Sequence, residues 1–299
     1  MSTSTPLMPG EIPPWIRTRV VEGKNYKDLK QLVQSRRLHT VCEEAKCPNI
    51  FDCWSRRSAT FMILGEVCTR ACRFCAVTSG RPVELDIGEP LRVAESVAQL
   101  GLRHAVITSV DRDDLADGGA GIFARTIKAI RRRSPGTTIE VLTPDFQGDL
   151  AAVQTVVEAR PDIFNHNTET VPRLYARIRP KAVYANSLAL LRHVKRLAPD
   201  MVTKSGLMVG LGETEDELLE VFANMRAHDI DVLTVGQYLR PSKKHAEVAR
   251  YYRPEEFVQL KQRAVELGFA HVEAGPMVRS SYHADEQVPV AARKSLLAG

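Results

Sequence analysis

From about residue 59 onward, short apolar runs alternate with longer stretches whose apolar positions recur every three or four residues. The short runs are 60–65, 104–109, 138–142, 162–166, 182–185, 202–208, 231–236 and 269–272. Their length and β-branched content predict buried strands. The longer stretches, 89–100, 120–133, 149–159, 170–178, 187–197, 214–227 and 254–267, predict helices. Thr214 precedes Glu215 and Glu217, an acidic first turn that suits the partial positive charge of a helix N-terminus. Gly101 and Gly268 follow helical patterns, where a left-handed terminating residue is expected. Strands and helices alternating at this spacing predict an α/β fold with parallel strands and helices outside. A partial or complete (β/α) barrel fits best, with a doubly wound sheet as the competing topology.

The chain before residue 59 follows no such rhythm. Residues 1–25 are rich in Pro, Ser and Thr and predict an irregular arm, packed through Trp15. Leu29, Leu32 and Val33 place one apolar side on a short helix over 26–37. The segment from Cys42 to Cys53 is too crowded with Cys, Pro and Asn for a simple helix. This divides the chain into an N-terminal extension (1–58), a barrel core (59–272) and a C-terminal tail (273–299).

With 44% hydrophobic and 26% charged residues, the composition is that of a globular protein. No apolar run approaches the roughly 20 residues that span a bilayer. Met1 to Gly10 lacks the basic cluster and apolar run of a secretory signal, so cytoplasm or an organelle matrix is expected. The net charge of +5 is mild. Arg131, Arg132 and Arg133 read as a solvated helix end, with a field for an acidic protein partner as the alternative. The spread of basic residues, with no recognition motif, argues against nucleic acid.

The six cysteines change the picture, because all of them fall between Cys42 and Cys75. Structural disulfides serve small domains in oxidising compartments, and buried structural cysteines would be scattered. Clustering favours metal ligation. Cys42, Cys47 and Cys53 are spaced CxxxxCxxxxxC; Cys68, Cys72 and Cys75 are spaced CxxxCxxC. Each group offers three soft thiolates, whereas an iron–sulfur cube held wholly by protein needs four ligands. A zinc assembly, supplemented by His39, is the competing reading, although neither group shows the usual CxxC pair.

In a barrel, chemistry gathers at the C-terminal ends of the strands. There the sequence places Asp111, Arg112 and Asp113; Thr143 and Asp145; Asn165, His166, Asn167 and Glu169; and Gln237, Tyr238 and Arg240. His166, His245, His271 and His283 share no metal-ligand spacing and read as ordinary polar contacts.

Six segments together carry a resemblance. They are Cys42-Glu-Glu-Ala-Lys-Cys47-Pro-Asn, Cys68-Thr-Arg-Ala-Cys72-Arg-Phe-Cys75, Thr108-Ser-Val-Asp-Arg-Asp-Asp-Leu115, Phe164-Asn-His-Asn-Thr-Glu169, Lys204-Ser-Gly-Leu-Met-Val-Gly-Leu-Gly-Glu213 and Arg279-Ser-Ser-Tyr282. With them the chain resembles the radical S-adenosylmethionine (SAM) enzymes and, within these, the lipoyl synthase family. The resemblance implies that Cys68, Cys72 and Cys75 hold a [4Fe–4S] cluster by three irons, with SAM on the fourth. Reduction then cleaves SAM to methionine and a 5′-deoxyadenosyl radical. It implies that Cys42, Cys47 and Cys53 hold an auxiliary [4Fe–4S] cluster, with Ser280 as fourth ligand and Ser281 as the alternative. An alkoxide is harder than a thiolate and holds iron less well, which suits a cluster that must come apart.

The implied reaction inserts two sulfur atoms at C6 and C8 of a protein-bound N6-octanoyl-lysine. The auxiliary cluster is the sulfur source, and two SAM are used per product. The implied partners are an octanoylated lipoyl-carrier domain or glycine-cleavage H protein, an electron donor and cluster-assembly proteins. Neither nucleic acid nor membrane is expected. Candidate SAM contacts are Ser109, Asp111, Asn165, Asn167, Glu169, Lys204 and Arg240. Phe74 would shield the cluster or pack near adenine. Arg279 would position the serine-bearing tail or pair with a rim Asp.

Overall fold

A computed structural model describes residues 12–16, 23–35, 39–44, 47, 49–282 and 284. His283, most of the tail expected over 273–299 and parts of the extension expected over 1–58 lie outside the described residues.

Helix α1 (Lys24–Ser35) opens the ordered part and is followed by β1 (His39–Thr40), α2 (Val41–Glu44) and α3 (Ile50–Ser55). Strand β2 (Ser58–Ile63) leads into a loop carrying the two-residue strands β3 (Val67–Cys68) and β4 (Thr78–Ser79). Helices and strands then alternate: α4 (Glu89–Leu100), β5 (His104–Ser109), α5 (Ala120–Arg133), β6 (Thr138–Leu142), α6 (Leu150–Glu158) and β7 (Ile163–Asn165). Next come α7 (Tyr175–Ile178), α8 (Tyr184–Leu197), β8 (Val202–Val209), α9 (Glu215–Ala227), β9 (Val232–Gln237), α10 (Pro254–Glu266) and β10 (His271–Gly275).

The main sheet runs β1-β2-β5-β6-β7-β8-β9-β10, antiparallel only between β1 and β2. Among the described residues the ladder ends at β1 and β10, so the barrel is partial. Its strands are buried on both faces, as parallel sheets under helices are. Phe61, Ile107, Val141, Phe164, Leu207 and Val235 belong to one apolar cluster with the inner faces of the helices. Each such side chain contributes roughly 1.5–3 kcal/mol on leaving water. Tyr26, Leu29, Val33 and Trp54 of the extension join that same cluster.

Local signals fix the element ends. Thr214 Oγ1 accepts the Glu217 N–H at 3.3 Å, and Glu217 Oε2 accepts the Thr214 N–H at 2.8 Å, a reciprocal cap that starts α9. Gly101 ends α4 in the left-handed region, with φ 56°. Trp15 donates from Nε1 to the Tyr252 carbonyl at 3.1 Å, anchoring the arm as expected.

Two expectations need correction. Residues 182–185 are not a strand. Val183 is extended but 52% exposed, and α8 begins at Tyr184. Its β-branched side chain has the propensity without a neighbouring strand to bond, so context overrides it. The helix expected over 170–178 is a short 3₁₀ turn, Pro172–Leu174, followed by the single turn of α7. Arg131 and Arg133 lie in the last turn of α5, ion-paired to Asp162 and Glu95, as a solvated helix end should be. Among the described residues, no helix is long and apolar enough to cross a membrane.

Candidate active site

The loop after β2 starts with Leu64 and Gly65, both at positive φ, which turn the chain across the barrel mouth. The Leu64 N–H donates to Glu89 Oε2 at 2.7 Å, which pins the turn to α4. Thr69 then clasps the loop after β5. Its N–H and Oγ1 both donate to the Asp111 carbonyl at 3.0 Å, and its Oγ1 accepts the Asp113 N–H at 3.1 Å.

Arg70 completes this attachment. Its guanidinium, almost fully buried, bonds both oxygens of Asp113 and both oxygens of Asp145, the latter at 2.6 and 2.9 Å. Asp111 Oδ1 lies 3.3 Å from its Nε. Three carboxylates from the ends of β5 and β6 thus hold one cation, with the paired geometry that guanidinium provides. The cysteines are therefore set on the strand ends through charge-assisted bonds rather than on a free loop.

Cys68 Sγ accepts backbone N–H groups from Arg70 at 3.4 Å and Asp111 at 3.3 Å. Burial pushes the Cys68 thiol up to about 11 and the Asp111 carboxylate adds to this, while the two amides pull the other way. Cys72 is pushed up to about 12 by burial, opposed first by the Arg179 cation. Cys75 is raised by burial, and the Val77 N–H opposes the shift.

Arg179 is a second buried cation of this mouth. Its Nη1 donates to the carbonyls of Asn167 and Thr168 at 3.0 and 3.1 Å, and its Nε has no hydrogen-bond partner among the described residues. Glu169, at φ 66°, lies beside it; burial raises its pKa against the pull of Arg179 and Asn167. Asn167 Nδ2 donates to Glu169 Oε1 at 3.1 Å.

The other cysteines occupy α2, α3 and the turn between them. The Cys47 N–H donates to the Cys42 carbonyl and the Cys53 N–H to the Asn49 carbonyl, each at 3.0 Å, which folds the segment back on itself. Trp54 is fully buried and its ring centroid lies 5.3 Å from that of Tyr26. Its Nε1 has no hydrogen-bond partner among the described residues. Burial pushes the Cys42 thiol up to about 11, with Cys47 adding and the Thr60 N–H and Trp54 opposing. Burial, then Cys42 and Cys47, raise Cys53 as well.

The segment after β10 closes this second site. Asn49 Nδ2 donates to the Met277 carbonyl at 2.6 Å. Arg279 is half-buried and sits near Cys47, where its charge opposes the rise that burial imposes on that thiol. Tyr282 lies within the field of Asp52 and Cys53. Ser280 and Ser281 are half-buried and lie in sequence between Arg279, which acts on Cys47, and Tyr282, which acts on Cys53. The close approach depends on Gly236, where any Cβ would collide with the Val278 carbonyl.

All six cysteines are free. Among the described residues no three of their sulfurs converge within 4.8 Å. A tetrahedral zinc site would bring its sulfurs about 3.8 Å apart.

Other candidates from the sequence fall in several places. Asp111, Asn167 and Glu169 lie with the cysteine loop, and Ser109 Oγ is buried without a hydrogen-bond partner among the described residues. Phe74 packs on the core cluster. Asn165 and Lys204 lie deeper. Asn165 Nδ2 donates to Glu140 Oε1 at 2.9 Å, and Lys204 Nζ lies 3.0 Å from the same oxygen. His104 Nε2 is 3.6 Å from Glu140 Oε2. Burial would push Glu140 up, but the Lys204 charge, His104 and the Asn165 amide together outweigh it and hold the carboxyl down to about 2. Lys204 therefore spends its charge inside the barrel. Arg240 staples a loop, donating to the carbonyls of His245 and Lys243 at 3.0 and 2.6 Å.

A cysteine loop bolted to the open end of a partial (β/α) barrel defines a radical SAM enzyme. The radical SAM superfamily profile matches residues 62–225. Solved structures share the fold: methylornithine synthase at TM-score 0.55, 14% identity, covering 93% of this chain and 90% of that one. Streptococcus suis SuiB bound to S-adenosylmethionine gives 0.54 at 10% identity, covering 73% of this chain and 50% of that one. The N-terminal domain of lipoyl synthase matches residues 9–47. Lipoyl synthase of Rubrobacter xylanophilus is 59% identical over 95% of this chain and 88% of its own length. That of Bacillus subtilis is 58% identical over 94% and 95%. The chain belongs to the lipoyl synthase family, a family of radical SAM sulfurtransferases. Membership implies a [4Fe–4S] cluster and SAM.

Proposed function

We propose that the chain makes the lipoyl cofactor by inserting sulfur at C6 and C8 of a protein-bound N6-octanoyl-lysine, using two SAM per product. The observation that carries this reading is the pair of separate cysteine triads, only one of which is met by the serine-bearing segment 279–282. On this reading Cys68, Cys72 and Cys75 bind the cluster that holds SAM. Reduced and bound, that group supplies a 5′-deoxyadenosyl radical able to take hydrogen from unactivated C–H bonds.

The chain's own residues hold and shield that chemistry. The amides of Arg70 and Asp111 favour the thiolate form of Cys68. Arg179 offsets negative charge between Cys72 and Glu169. Asp111, Asn167, Glu169 and Ser109 present polar groups to SAM, and Phe74 excludes water. Cys42, Cys47, Cys53 and Ser280, or Ser281 in its place, hold the second cluster, a co-substrate that yields its sulfur. Extension 1–58, barrel 59–272 and tail 273–299 then divide the work. The substrate is an octanoylated lipoyl-carrier domain or H protein, met in the cytoplasm, with cluster-assembly proteins renewing the spent site.

Anaerobic turnover with SAM, a strong reductant and an octanoyl-lysine peptide tests this by mass spectrometry. The expected result is a mass gain of two sulfurs with two 5′-deoxyadenosines per product. SAM cleavage without sulfur gain in protein holding both clusters would defeat the proposal.

A further inference from the structure

The outer side of the Cys68–Cys75 loop is bordered by cations. Arg73, between two of the cysteines, is exposed, as are Lys181, Lys243 and Lys244. Backbone and side-chain contacts hold the four together. The Arg73 N–H donates to the Ile178 carbonyl at 2.9 Å, and Lys181 Nζ donates to the Thr69 carbonyl at 3.0 Å. The Ala246 N–H donates to the Arg73 carbonyl at 2.8 Å, and His245 Nε2 to the Cys75 carbonyl at 2.9 Å. The loop bearing Lys243 and Lys244 is thus fastened to the cysteine loop itself.

These charges differ from many others on the surface. Arg92, Arg131, Arg160, Arg173, Arg192 and Arg250 each have a carboxylate partner. Among the described residues, none of the four collar cations has a carboxylate within 4.0 Å. The nearest neutralising contact in the loop is Glu247, which lies 3.7 Å from Arg240. Unpaired like charges on one patch cost stability and return it only when an opposite surface arrives.

We propose that Arg73, Lys181, Lys243 and Lys244 form the docking surface for a small acidic electron-transfer protein that reduces the cluster held by Cys68, Cys72 and Cys75. The inference rests on that cluster assignment. One electron leaves the partner's reduced flavin or iron–sulfur centre and enters the cluster; no bond breaks and no proton moves. A partner touching Arg73 sits one residue from Cys72 and two from Cys75, so the path is short. Arg73, Lys181 and the loop of Lys243 and Lys244 are tied to the Cys68–Cys75 loop and to Ile178 of α7, whereas the Cys42 group meets Met277, Arg279 and Tyr282 instead. An electron donor needs only the one cluster. An octanoyl chain must meet both, which is why the collar fits the donor better than the acyl carrier.

The test uses the reconstituted holoenzyme and its Lys243→Glu/Lys244→Glu variant. Each is mixed anaerobically with a reduced flavodoxin, an acidic one-electron protein, or with dithionite, and cluster bleaching is followed by stopped-flow absorbance. At low salt the flavodoxin rate should fall about tenfold or more in the variant and lose its salt dependence. The dithionite rate should hold, and Lys243→Arg/Lys244→Arg should keep the wild-type rate. An unchanged flavodoxin rate overturns the proposal. So does an equal loss with dithionite, which would mean the pair shapes the cluster site. A variant changed only in KM for an octanoylated carrier would assign the collar to the acyl partner instead. A wild-type protein that takes up no reducible cluster at the second cysteine group would remove the cluster assignment as well, a failure visible before any donor is added.

Discussion

Cys68, Cys72 and Cys75 ride on a loop bolted to the barrel by Arg70 and three carboxylates, while Cys42, Cys47 and Cys53 lie on and between two short helices that a distant segment meets. The Cys68 group draws two backbone amides onto a single sulfur. The Cys42 group has the charge of Arg279 beside Cys47, and the proposed function gives its fourth position to a serine. Strong, redundant attachment suits a centre that survives each turnover. Sparse attachment with a hard oxygen ligand suits one that is dismantled. Under the proposed function the same metal chemistry is given two lifetimes by the protein around it.

The largest effect that would break this contrast comes from the rim triad. Cys72→Ala should abolish SAM cleavage, read as 5′-deoxyadenosine; retained cleavage would end the assignment of that loop. Cys53→Ala should do the reverse, leaving reductive SAM cleavage near normal while sulfur insertion into an octanoyl peptide stops. Next is Arg70→Met. Removing one partner from a buried ion cluster costs about 3–5 kcal/mol. A lower unfolding midpoint should accompany loss of iron from the rim loop, with the other triad's spectrum retained. Smallest is Trp54→Phe, which shrinks a fully buried ring and leaves a void costing about 1–3 kcal/mol. Iron loss to a chelator should quicken at the Cys42 group alone, and equal quickening at both groups would show a general packing defect.

Much of this was legible in the sequence. The strand and helix periods, the cap at Thr214 and the glycine stop at Gly101 are local properties, and they placed most elements correctly. Val183 misled because its propensity is local while a strand requires a neighbour. The cysteines were legible because thiolate spacing is itself the signal. Arg70 lies inside CxxxCxxC and was open to notice, since a cation among metal ligands needs a counter-charge. Arg179 had no such flag: only folding brings it from the turn after α7 to Cys72. Lys204 shows the converse. Its place in a glycine-rich polar segment suggested the rim, yet strand register aligns it with Asn165 and its ammonium turns to Glu140.

The first triad and the segment that completes it come from opposite ends of the chain, residues 42–53 and 279–282. Between them in sequence lie all the strands from β2 to β10, so the two segments meet only when that sheet is assembled. The carboxylate clamp on the rim loop is local by comparison, joining Arg70 to Asp111, Asp113 and Asp145. Opening at either edge of the sheet therefore parts the Cys42 group from segment 279–282 while the clamp beside β5 and β6 still holds.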